Sequence, residues 1–597
     1  MELLSIVSSP RTFEPERDDI LAAQPSHPID NNQTATKSIA PDGETSHNPN
    51  AASSGDEFEN ASRPKGIRFA ILFLSILAGD FFVGYDSSCV ATLTTVISDE
   101  FGSLNEIGWY GTSYLLASCS TILIYGQVYT FFSMKIAYML SFFVFIIGSV
   151  VAATAPNSTA FIVGRAVSGL GSAGVFAGSS IIVANTTSLK HRPIYTAMSG
   201  GVECIALAFG PLISGAITRY SQWRISFYII IPVGVVVIFS VFFFVHDIQR
   251  PEHADIPNRQ KLKRLDIPGF VAFIPLAISV ILALEWGGSE YTWGNWRIIL
   301  LWVLVGVLLL VFLGIEYRSG DDSMFPLKLL YQRSVAFSAL FTFCNSAALF
   351  VTAYYLPIYF QAIREATTFE SGLMYLPTAV PFALAILVAG PITTMIGYYT
   401  PVMVTGTILM VIATGLYTTF SPTTPPIEWI SYQILYGLGV GLAFQQPFIA
   451  VQTVLPESAV ATALVAIFFT QEIGGIVALS IAQNLFTNRL TRELAKEVPG
   501  LDPSTVLKNG ALGIMKTVPA TYVEGVKTAY NDAIVDVYYL ALVLTCMTVV
   551  AAFGIEWRSV KEEGKGKDQQ GSSLQTGENK TGGERSRSDA LATSQHS

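Results

Sequence analysis

The sequence predicts an all-α integral membrane protein, and three observations support that fold class. Of the 597 residues, 51% are hydrophobic and only 13% are charged, and the mean hydropathy is +0.48. Soluble domains carry about 25% charged residues. The apolar residues fall into repeated stretches of about twenty, the length that a helix needs to cross roughly 30 Å of hydrocarbon. These observations exclude a soluble globular enzyme, a disordered scaffold and a nucleic-acid-binding protein.

Fourteen mostly apolar stretches are predicted to span the membrane, with Pro and Gly tolerated inside them as in other membrane helices. In chain order, the predicted spans 1 to 14 are 67–97, 108–128, 136–155, 160–183, 194–217, 226–246, 268–286, 298–316, 335–360, 372–394, 399–420, 428–450, 460–484 and 535–556. An even number of spans places both ends of the chain on the same side of the membrane.

The positions of Lys and Arg predict which side that is, because basic residues concentrate at the cytoplasmic flanks of membrane helices. If the N-terminus is cytoplasmic, eighteen Lys and Arg lie at the inner flanks and four lie in the short outer loops. The sequence therefore predicts that both termini face the cytoplasm.

Both ends of the chain are predicted to be disordered tails. Residues 1–62 contain eleven acidic and three basic residues, and they are rich in Ser, Asn and Pro. The C-terminal tail is rich in Gly, Lys, Gln and Ser. Neither segment has enough large apolar residues to bury a core.

Cysteine and histidine usage predicts no metal site, disulfide framework or other cofactor. The five cysteines lie in apolar stretches without close partners, and none of the six histidines lies inside a span. A proton relay in the membrane must therefore use carboxylates, and a membrane-embedded hydrolase is not supported. The sequence has no Walker motif, so ATP is not predicted to drive any transport.

Charged side chains inside the spans are the first candidates for function, because charge in a bilayer is costly. They include Asp80, Asp86, Arg165, Glu203 and Glu472. Asp80 and Asp86 are six residues apart, so they lie about 120° apart around the helix. Glu203 is predicted to face the bundle interior, either as a proton site or as a hydrogen-bonded structural acid. The same two alternatives apply to Glu472.

Small residues recur at intervals of four in two spans, which lets membrane helices approach closely. They are Gly164, Ser168 and Ser172 in span 4, and Ala206, Gly210 and Ser214 in span 5. Pro211 weakens the helical hydrogen-bond ladder, so Gly210 and Pro211 are predicted to form a conformational hinge. Simple close packing is the alternative explanation of these small faces.

Several short segments resemble signatures of the fungal fourteen-span drug:proton antiporters, a toxin and multidrug efflux family of the major facilitator superfamily. In chain order they are Tyr85–Thr92, Arg165 with Gly169 and Gly171, Gly210–Gly215, Trp223–Tyr228, Tyr354–Pro357, Gln445–Pro447 and Val451–Pro456. The resemblance covers about residues 66–560.

The sequence departs from the family pattern at three places. Thr95 replaces a Pro near the end of the span 1 motif, and Ser214 stands where a Gly is usual. The segment 126–135, after span 2, lacks the Asp of the family's loop motif. The cytoplasmic charge latch attributed to that motif is therefore not predicted in its usual form.

The resemblance implies two six-helix bundles plus two inserted helices. The implied regions are an acidic cytoplasmic tail at 1–66, an N-terminal bundle at 67–246, cytoplasmic loops with the inserted spans at 247–334, a C-terminal bundle at 335–556 with an outer loop at 485–534, and a cytoplasmic tail at 557–597.

The resemblance also implies roles for residues. Asp86 and Arg165 are carried over as proton-coupling residues, and the span 5 motif is associated with export. Spans 1, 4, 9 and 12 are implied to line a substrate cavity near the midplane. Its candidate residues are Phe341, Asn345, Tyr354, Tyr355, Tyr432, Gln433, Tyr436, Gln445 and Gln446. Aromatic faces with a few amides suit a large, mostly apolar molecule, although each aromatic residue can equally be a packing residue.

The predicted function is proton-coupled efflux of hydrophobic organic molecules such as secondary metabolites, mycotoxins or drugs. The proton gradient would drive it without a cofactor. The protein is expected to be a monomer in the lipid bilayer of the plasma membrane, with the vacuolar membrane as the alternative. The rival functions are a proton-coupled importer, for instance of a siderophore, and a transport-inactive sensor.

Overall fold

The computed structural model describes residues 66–103, 106–244, 261, 265–288, 291–320, 324, 329, 331–498 and 522–561. In these ranges the regular secondary structure is helical, apart from two isolated bridges. The predicted disordered tails and the cytoplasmic loop 247–264 fall mostly outside the described residues.

Seven helices form the N-terminal group. They are α1 (Ile67–Phe101), α2 (Ile107–Phe131), α3 (Met134–Ala153), α4 (Ser158–Thr186), α5 (Arg192–Tyr220), α6 (Ile225–Tyr228) and α7 (Ile230–Phe244). The short α6 and α7 together occupy the sixth predicted span. Within this group α3 packs against α4, α1 against α5 and α7, and α2 against α4.

Two further helices occupy the predicted insertion, and seven form the C-terminal group. The inserted helices are α8 (Ile267–Trp286) and α9 (Trp296–Ser319). The C-terminal group contains α10 (Arg333–Ile363), α11 (Thr368–Ile396), α12 (Thr400–Tyr417), α13 (Pro426–Phe444), α14 (Gln446–Val454), α15 (Glu457–Glu497) and α16 (Val523–Gly554). Here α10 packs against α15 and α16, and α13 packs against α11 and α12.

Thirteen helical segments of the described chain are long and apolar enough to cross a membrane, against fourteen predicted spans. The predicted span that is not among them is the one formed by α2. This helix carries many Ser, Thr, Tyr and Gly residues, which lower its hydropathy. It packs against α4 and α15, so much of its polar surface meets protein.

The loop predicted at 485–534 is too long. Helix α15 continues to Glu497, and α16 begins already at Val523. The prediction followed the end of the uninterrupted apolar run, whereas the helix continues with one apolar face. Leu490 and Leu494 of that extension are fully buried.

Small residues allow the backbones of the N-terminal group to approach closely. A Cβ atom on Gly148 of α3 would lie 2.2 Å from the backbone nitrogen of Ser168 on α4. A Cβ on Gly164 would lie 2.5 Å from the backbone nitrogen of Ala152. The small face predicted on span 4 is therefore a packing surface against α3.

The N-terminal and C-terminal groups meet along a seam, defined by the contacts of α5 with α11 and of α2 with α15. At the ends predicted to be cytoplasmic, the approach is close. A Cβ on Gly390 of α11 would lie 2.5 Å from the carbonyl oxygen of Pro193 on α5. The rings of Phe176 of α4 and Phe468 of α15 also meet between the two groups, tilted by 58° with centroids 4.3 Å apart.

The inserted helix α8 contacts both groups at the α2 and α15 edge of this seam. Trp286 of α8 meets Trp109 of α2 with ring centroids 6.1 Å apart. Phe273 of α8 meets Phe469 of α15 at 5.4 Å. The insertion thus packs on one edge of the seam.

A neutral contact joins the inner end of α2 to the start of α8. The Asp266 carboxylate caps α8 by accepting a hydrogen bond from the Gly269 backbone at 2.9 Å. The backbone N–H of Asp266 donates to the Gln127 side chain at 3.0 Å. Gln127 lies in the segment where the family's loop motif would carry its charges. Here a neutral amide, and not a charged side chain, connects α2 to the start of α8.

A cluster at the C-terminal end of α1 connects three segments of the N-terminal group. The Glu100 carboxylate accepts hydrogen bonds from the Trp223 indole at 2.5 Å and from Arg224 at 2.6 Å. Arg224 also donates to the carbonyl of Ala155. Partial burial opposes the ionisation of Glu100, but these two hydrogen bonds and the Arg224 charge outweigh it and lower its pKa below the ordinary value.

We expect Gly148→Ala to destabilise the protein, since the added methyl group would collide with the backbone of α4. Overpacking of this kind costs about 1–3 kcal/mol. The matched control is Gly314→Ala on α9, where a Cβ has nothing within 4 Å. Thermal unfolding of the detergent-solubilised proteins, monitored by size-exclusion chromatography, gives the melting temperature of each variant. Equal melting temperatures for the two variants would contradict the packing assignment.

We expect the Glu100 cluster to add stability above the ordinary Glu pKa of about 4.3. A depressed folded-state pKa means that this stability is lost as the pH falls through the window below that value. The melting temperature of the wild type should therefore fall more steeply on acidification than that of Glu100→Gln. Because Glu100 is 43% exposed, the difference should be small. Parallel pH profiles of the melting temperature for the wild type and Glu100→Gln would show that the cluster contributes nothing to stability.

Candidate functional site

The central feature of the site is a buried ion pair between α1 and α4. The guanidinium Nη1 of Arg165 lies 2.6 Å from Oδ2 of Asp86. The side chains are 1% and 0% exposed, respectively. The structure thus brings together the two residues that the sequence assigned to proton coupling.

Further contacts fix the Arg165 guanidinium. Its Nε donates to the carbonyl oxygen of Tyr110 on α2 at 3.2 Å. Its plane lies over the Tyr114 ring, 4.4 Å from the centroid. The Tyr110 hydroxyl is held in turn by Ser158, at 2.9 Å. Three helices therefore set the position of one cation.

The pair is charge-balanced but its hydrogen bonding is incomplete. Oδ1 of Asp86 has no hydrogen-bond partner among the described residues. In a medium of low dielectric constant, removing one member of such a pair leaves an uncompensated charge. The arrangement is stable while both groups are charged, and it is sensitive to any event that neutralises Asp86.

A ladder of small and hydroxyl-bearing residues joins α1 to α5. Ser88 donates to the carbonyl of Ala206 at 3.3 Å, and Thr92 shares a 2.7 Å hydrogen bond with Ser214. One turn earlier on α1, a Cβ on Gly84 would meet Glu203 at 3.1 Å. The two helices therefore run in parallel with matched turns.

The predicted hinge lies on this ladder. A Cβ on Gly210 would lie 2.0 Å from the Ser88 hydroxyl, so Gly210 has a packing role. Pro211 lies inside α5, which is assigned as one helix from Arg192 to Tyr220. Bending at Gly210 and Pro211 stays a prediction.

Three acids from three helices lie near one another. Glu203 of α5 interacts electrostatically with Asp80 of α1 and with Glu472 of α15. Among the described residues, no Lys or Arg forms an ion pair with any of the three. Glu203 and Glu472 are partly exposed, whereas Asp80 is buried. The sequence marked Asp80 only as an intramembrane acid, because no motif contains it.

The predicted cavity residues of α10 do not share one surface. Phe341 and Asn345 are buried, and Oδ1 of Asn345 has no hydrogen-bond partner among the described residues. Tyr355 is buried and donates to Gln483 of α15 at 3.1 Å. Tyr354 is 53% exposed. Tyr354 and Tyr355 therefore have different surroundings, because adjacent helical residues point about 100° apart.

Predicted cavity residues of α13 form polar contacts inside the C-terminal group. Gln433 accepts a hydrogen bond from Thr378 of α11 at 3.0 Å. Tyr436 accepts one from Thr352 of α10 at 3.0 Å. Tyr432, on the same helix, is partly exposed. These bonds tie α13 to α11 and to α10.

Gln445 and Gln446 lie where α13 gives way to α14. Gln446 accepts a hydrogen bond from Thr393 of α11 at 3.1 Å. Gln445 packs on Gly200 of α5, where a Cβ would overlap its side chain. The structure therefore places Gln445 at the contact between the two groups, toward the end predicted to be cytoplasmic. Periodicity could not reveal this, because it does not show where the two groups meet.

The predicted residue Tyr436 belongs to a cluster of tyrosines whose other members the sequence reasoning missed. Tyr417 of α12 meets Tyr436 and Tyr538 with ring centroids 5.6 and 5.3 Å apart. Tyr375 of α11 interacts electrostatically with these tyrosines and with Cys204 of α5. No motif marks these residues, and only the packing of α11, α12, α13 and α16 brings them together.

Among the described residues, no group of three His, Cys, Asp or Glu side chains could hold a metal ion. The chemistry available at the site is therefore that of carboxyl groups, one guanidinium and several hydroxyls. Such groups can bind, hold and exchange protons.

The comparisons with known proteins agree with this architecture. A family model of the Major Facilitator Superfamily matches residues 76–479. The chain is 40% identical over 520 residues to the MFS-type efflux pump MFS1 of Arthroderma benhamiae, covering 87% of this chain and 97% of that protein. It is 39% identical over 508 residues to the efflux pump aflT of Aspergillus parasiticus, covering 84% and 98%.

Solved structures share the fold at much lower identity. The proton:xylose symporter XylE superposes with a TM-score of 0.52 at 14% identity, covering 81% of this chain and 94% of that chain. The human organic anion transporter MFSD10 gives a TM-score of 0.52 at 12% identity, covering 81% and 100%. At these identities the similarity concerns the fold alone.

We expect Arg165→Met to destabilise the protein by about 3–5 kcal/mol, because it leaves the Asp86 charge buried without a partner. Adding Asp86→Asn to that variant should recover most of the loss, since no buried charge then remains. Melting temperatures of the wild type, both single variants and the double variant complete the cycle. Additive effects of the two substitutions would contradict the ion pair.

Proposed function

The chain belongs to the Major Facilitator Superfamily, and we propose that it is a proton-coupled efflux transporter of hydrophobic organic molecules. Membership places it among multi-pass membrane transporters and not among enzymes. The proposed cargo is a secondary metabolite, mycotoxin or drug of low polarity.

The observation that carries the proposal is the ion pair of Asp86 and Arg165 between α1 and α4. Intramembrane charges are rare and generally serve transport or signalling. Both side chains are buried, and the carboxylate and the guanidinium are in direct contact. A proton that reaches Asp86 removes one of these two charges.

Protonation gives the pair two states. When Asp86 is neutral, Arg165 keeps the carbonyl of Tyr110 and the rings of Tyr114 and Phe227 as neighbours, none of which carries a negative charge. The guanidinium charge is then uncompensated, which favours a rearrangement of α1 relative to α4. Loss of the proton restores the ion pair. A cargo that binds more tightly to one arrangement than to the other is thereby exchanged for the proton.

The proposed direction rests on the relatives. The two fungal relatives above are named efflux pumps and are aligned along nearly their whole length. The Gly210–Pro211 motif resembles the export motif of the same family. The fold alone does not decide the direction, because a proton:xylose symporter shares it. The experiment must therefore distinguish export from import.

Side chains along the seam favour a neutral or cationic cargo over an anion. Glu203 of α5 and Glu472 of α15 interact electrostatically across the seam. Cys204 of α5 lies near Tyr375 of α11. Carboxyl groups repel anions, and phenol rings attract cations and apolar surfaces. The proposed cargo class agrees with this lining.

We propose the plasma membrane as the location, with both termini in the cytoplasm, and the vacuolar membrane as the alternative. The excess of Lys and Arg at the predicted inner flanks supports this orientation. The protein is proposed to act as a monomer, with cargo and protons as its partners.

We expect expression of the chain in a drug-susceptible fungal host to lower the accumulation of rhodamine 6G, and a protonophore to abolish the effect. Asp86→Asn should remove the efflux at unchanged membrane abundance, because its side chain cannot release a proton. The matched control is Asp99→Asn, which changes an exposed acid near the end of the same helix.

The outcomes separate the rival functions. Efflux by Asp86→Asn at the wild-type rate would exclude this residue from coupling. Increased uptake of the dye by the wild type would indicate import. Protonophore-insensitive efflux would contradict proton coupling while leaving transport itself intact.

A further inference from the structure

Asp80 is a second buried acid on α1 that the Asp86 and Arg165 pair does not use. It is 1% exposed and lies six residues before Asp86, about 120° around the helix. It therefore lies on a different side of α1 from Asp86, next to Ser199 of α5 and Ser179 of α4, whereas Asp86 contacts Arg165 of α4.

The contacts of Asp80 are neutral hydroxyl groups. Ser199 of α5 donates to its Oδ2, and Ser179 of α4 is a further hydroxyl neighbour. Tyr138 of α3 shares a 3.4 Å hydrogen bond with Ser179. Oδ1 of Asp80 has no hydrogen-bond partner among the described residues. No described Lys or Arg pairs with Asp80, in contrast to Asp86.

The titratable groups around Asp80 are few. Tyr138 of α3 and Glu203 of α5 are the ones whose charges interact with it. Helix α7 contains no titratable residue, and the one basic residue of α4, Arg165, is bonded to Asp86. An ionised carboxylate would therefore lie in the membrane interior without a counter-charge, which is costly. A protonated carboxyl suits this site.

Glu203 connects this site to the seam. It lies one turn after Ser199 on α5, and Gly84 lies one turn after Asp80 on α1. The absence of a side chain at Gly84 lets α1 pack on the Glu203 backbone and stem, with a Cβ position 3.5 Å from Cγ. Asp80 and Glu203 therefore occupy successive turns of one interface. Glu203 is partly exposed and also interacts with Glu472 across the seam.

We propose that Asp80 binds a second proton in each transport cycle and exchanges it with the seam through Glu203. The proton leaves the Glu203 carboxyl and binds the Asp80 carboxylate, and the negative charge moves in the opposite direction. This site works beside the Asp86 and Arg165 pair. The inference rests on the proposed proton coupling, but its first test does not require transport.

Infrared spectroscopy of the purified full-length protein in lipid nanodiscs tests the protonation directly. The wild type near neutral pH should show the C=O band of a buried protonated carboxyl, and Asp80→Asn should lose it. Asp86→Asn and Asp99→Asn should keep it. Ser199→Ala keeps the carboxyl but removes its hydroxyl donor, so it should shift the band. A band that persists unchanged in folded Asp80→Asn would overturn the proposal. If Asp80→Asn does not fold, an unshifted C=O band in Ser199→Ala would overturn the proposal instead.

The number of protons tests the role in transport. In proteoliposomes with a clamped membrane potential, the steady-state rhodamine 6G ratio should change about 100-fold per pH unit for two protons and about tenfold for one. We expect the first value for the wild type and the second for Asp80→Asn. A wild-type ratio that changes tenfold, with no change in Asp80→Asn, would exclude Asp80 from the cycle. A wild-type ratio independent of pH would instead contradict the proposed proton coupling.

Discussion

The constraint on which the structure depends is the burial of one guanidinium and one carboxylate among membrane-spanning helices. Neither Arg165 nor Asp86 is tolerable alone in the bilayer interior, so α1, α2 and α4 must hold a common arrangement. The Tyr110 carbonyl and the Tyr114 ring complete the surroundings of the cation. Gly169 of α4 makes this possible, because it lets α4 approach the α2 backbone, where a Cβ would lie 2.3 Å from the carbonyl oxygen of Tyr114. Packing and electrostatics are therefore parts of one requirement in the N-terminal group.

The two faces of α1 have different chemistry. One face presents Asp86 to a cation, and the other presents Asp80 to hydroxyl groups. The guanidinium favours the charged form of Asp86, whereas burial without a counter-charge favours the neutral form of Asp80 despite its hydroxyl donors. The two acids of one helix therefore lie in opposite electrostatic environments.

The fold class and the family were predictable from the sequence, and both are confirmed. Local information identifies the membrane helices by their apolar length and marks Asp86 and Arg165 among several intramembrane charges, of which the family resemblance selects these two. Local information was insufficient where the surroundings of a residue depend on which helices pack together. Gln445 belongs to the contact between the two groups, Tyr354 and Tyr355 have different surroundings, and the tyrosines near Tyr417 come from separate helices. The length of α15 was misjudged because its last turns have one buried face and not an apolar run.

The amide contact between Gln127 and the start of α8 has a consequence for how the transporter responds to its surroundings. A latch made of opposite charges weakens as ionic strength rises, because salt screens exposed charges beyond about 10 Å at 0.1 M. A hydrogen bond from a backbone N–H to a neutral amide carries no net charge to screen. This hydrogen bond between the inserted helix and the N-terminal group is therefore less sensitive to ionic strength than an ion pair at the same place would be.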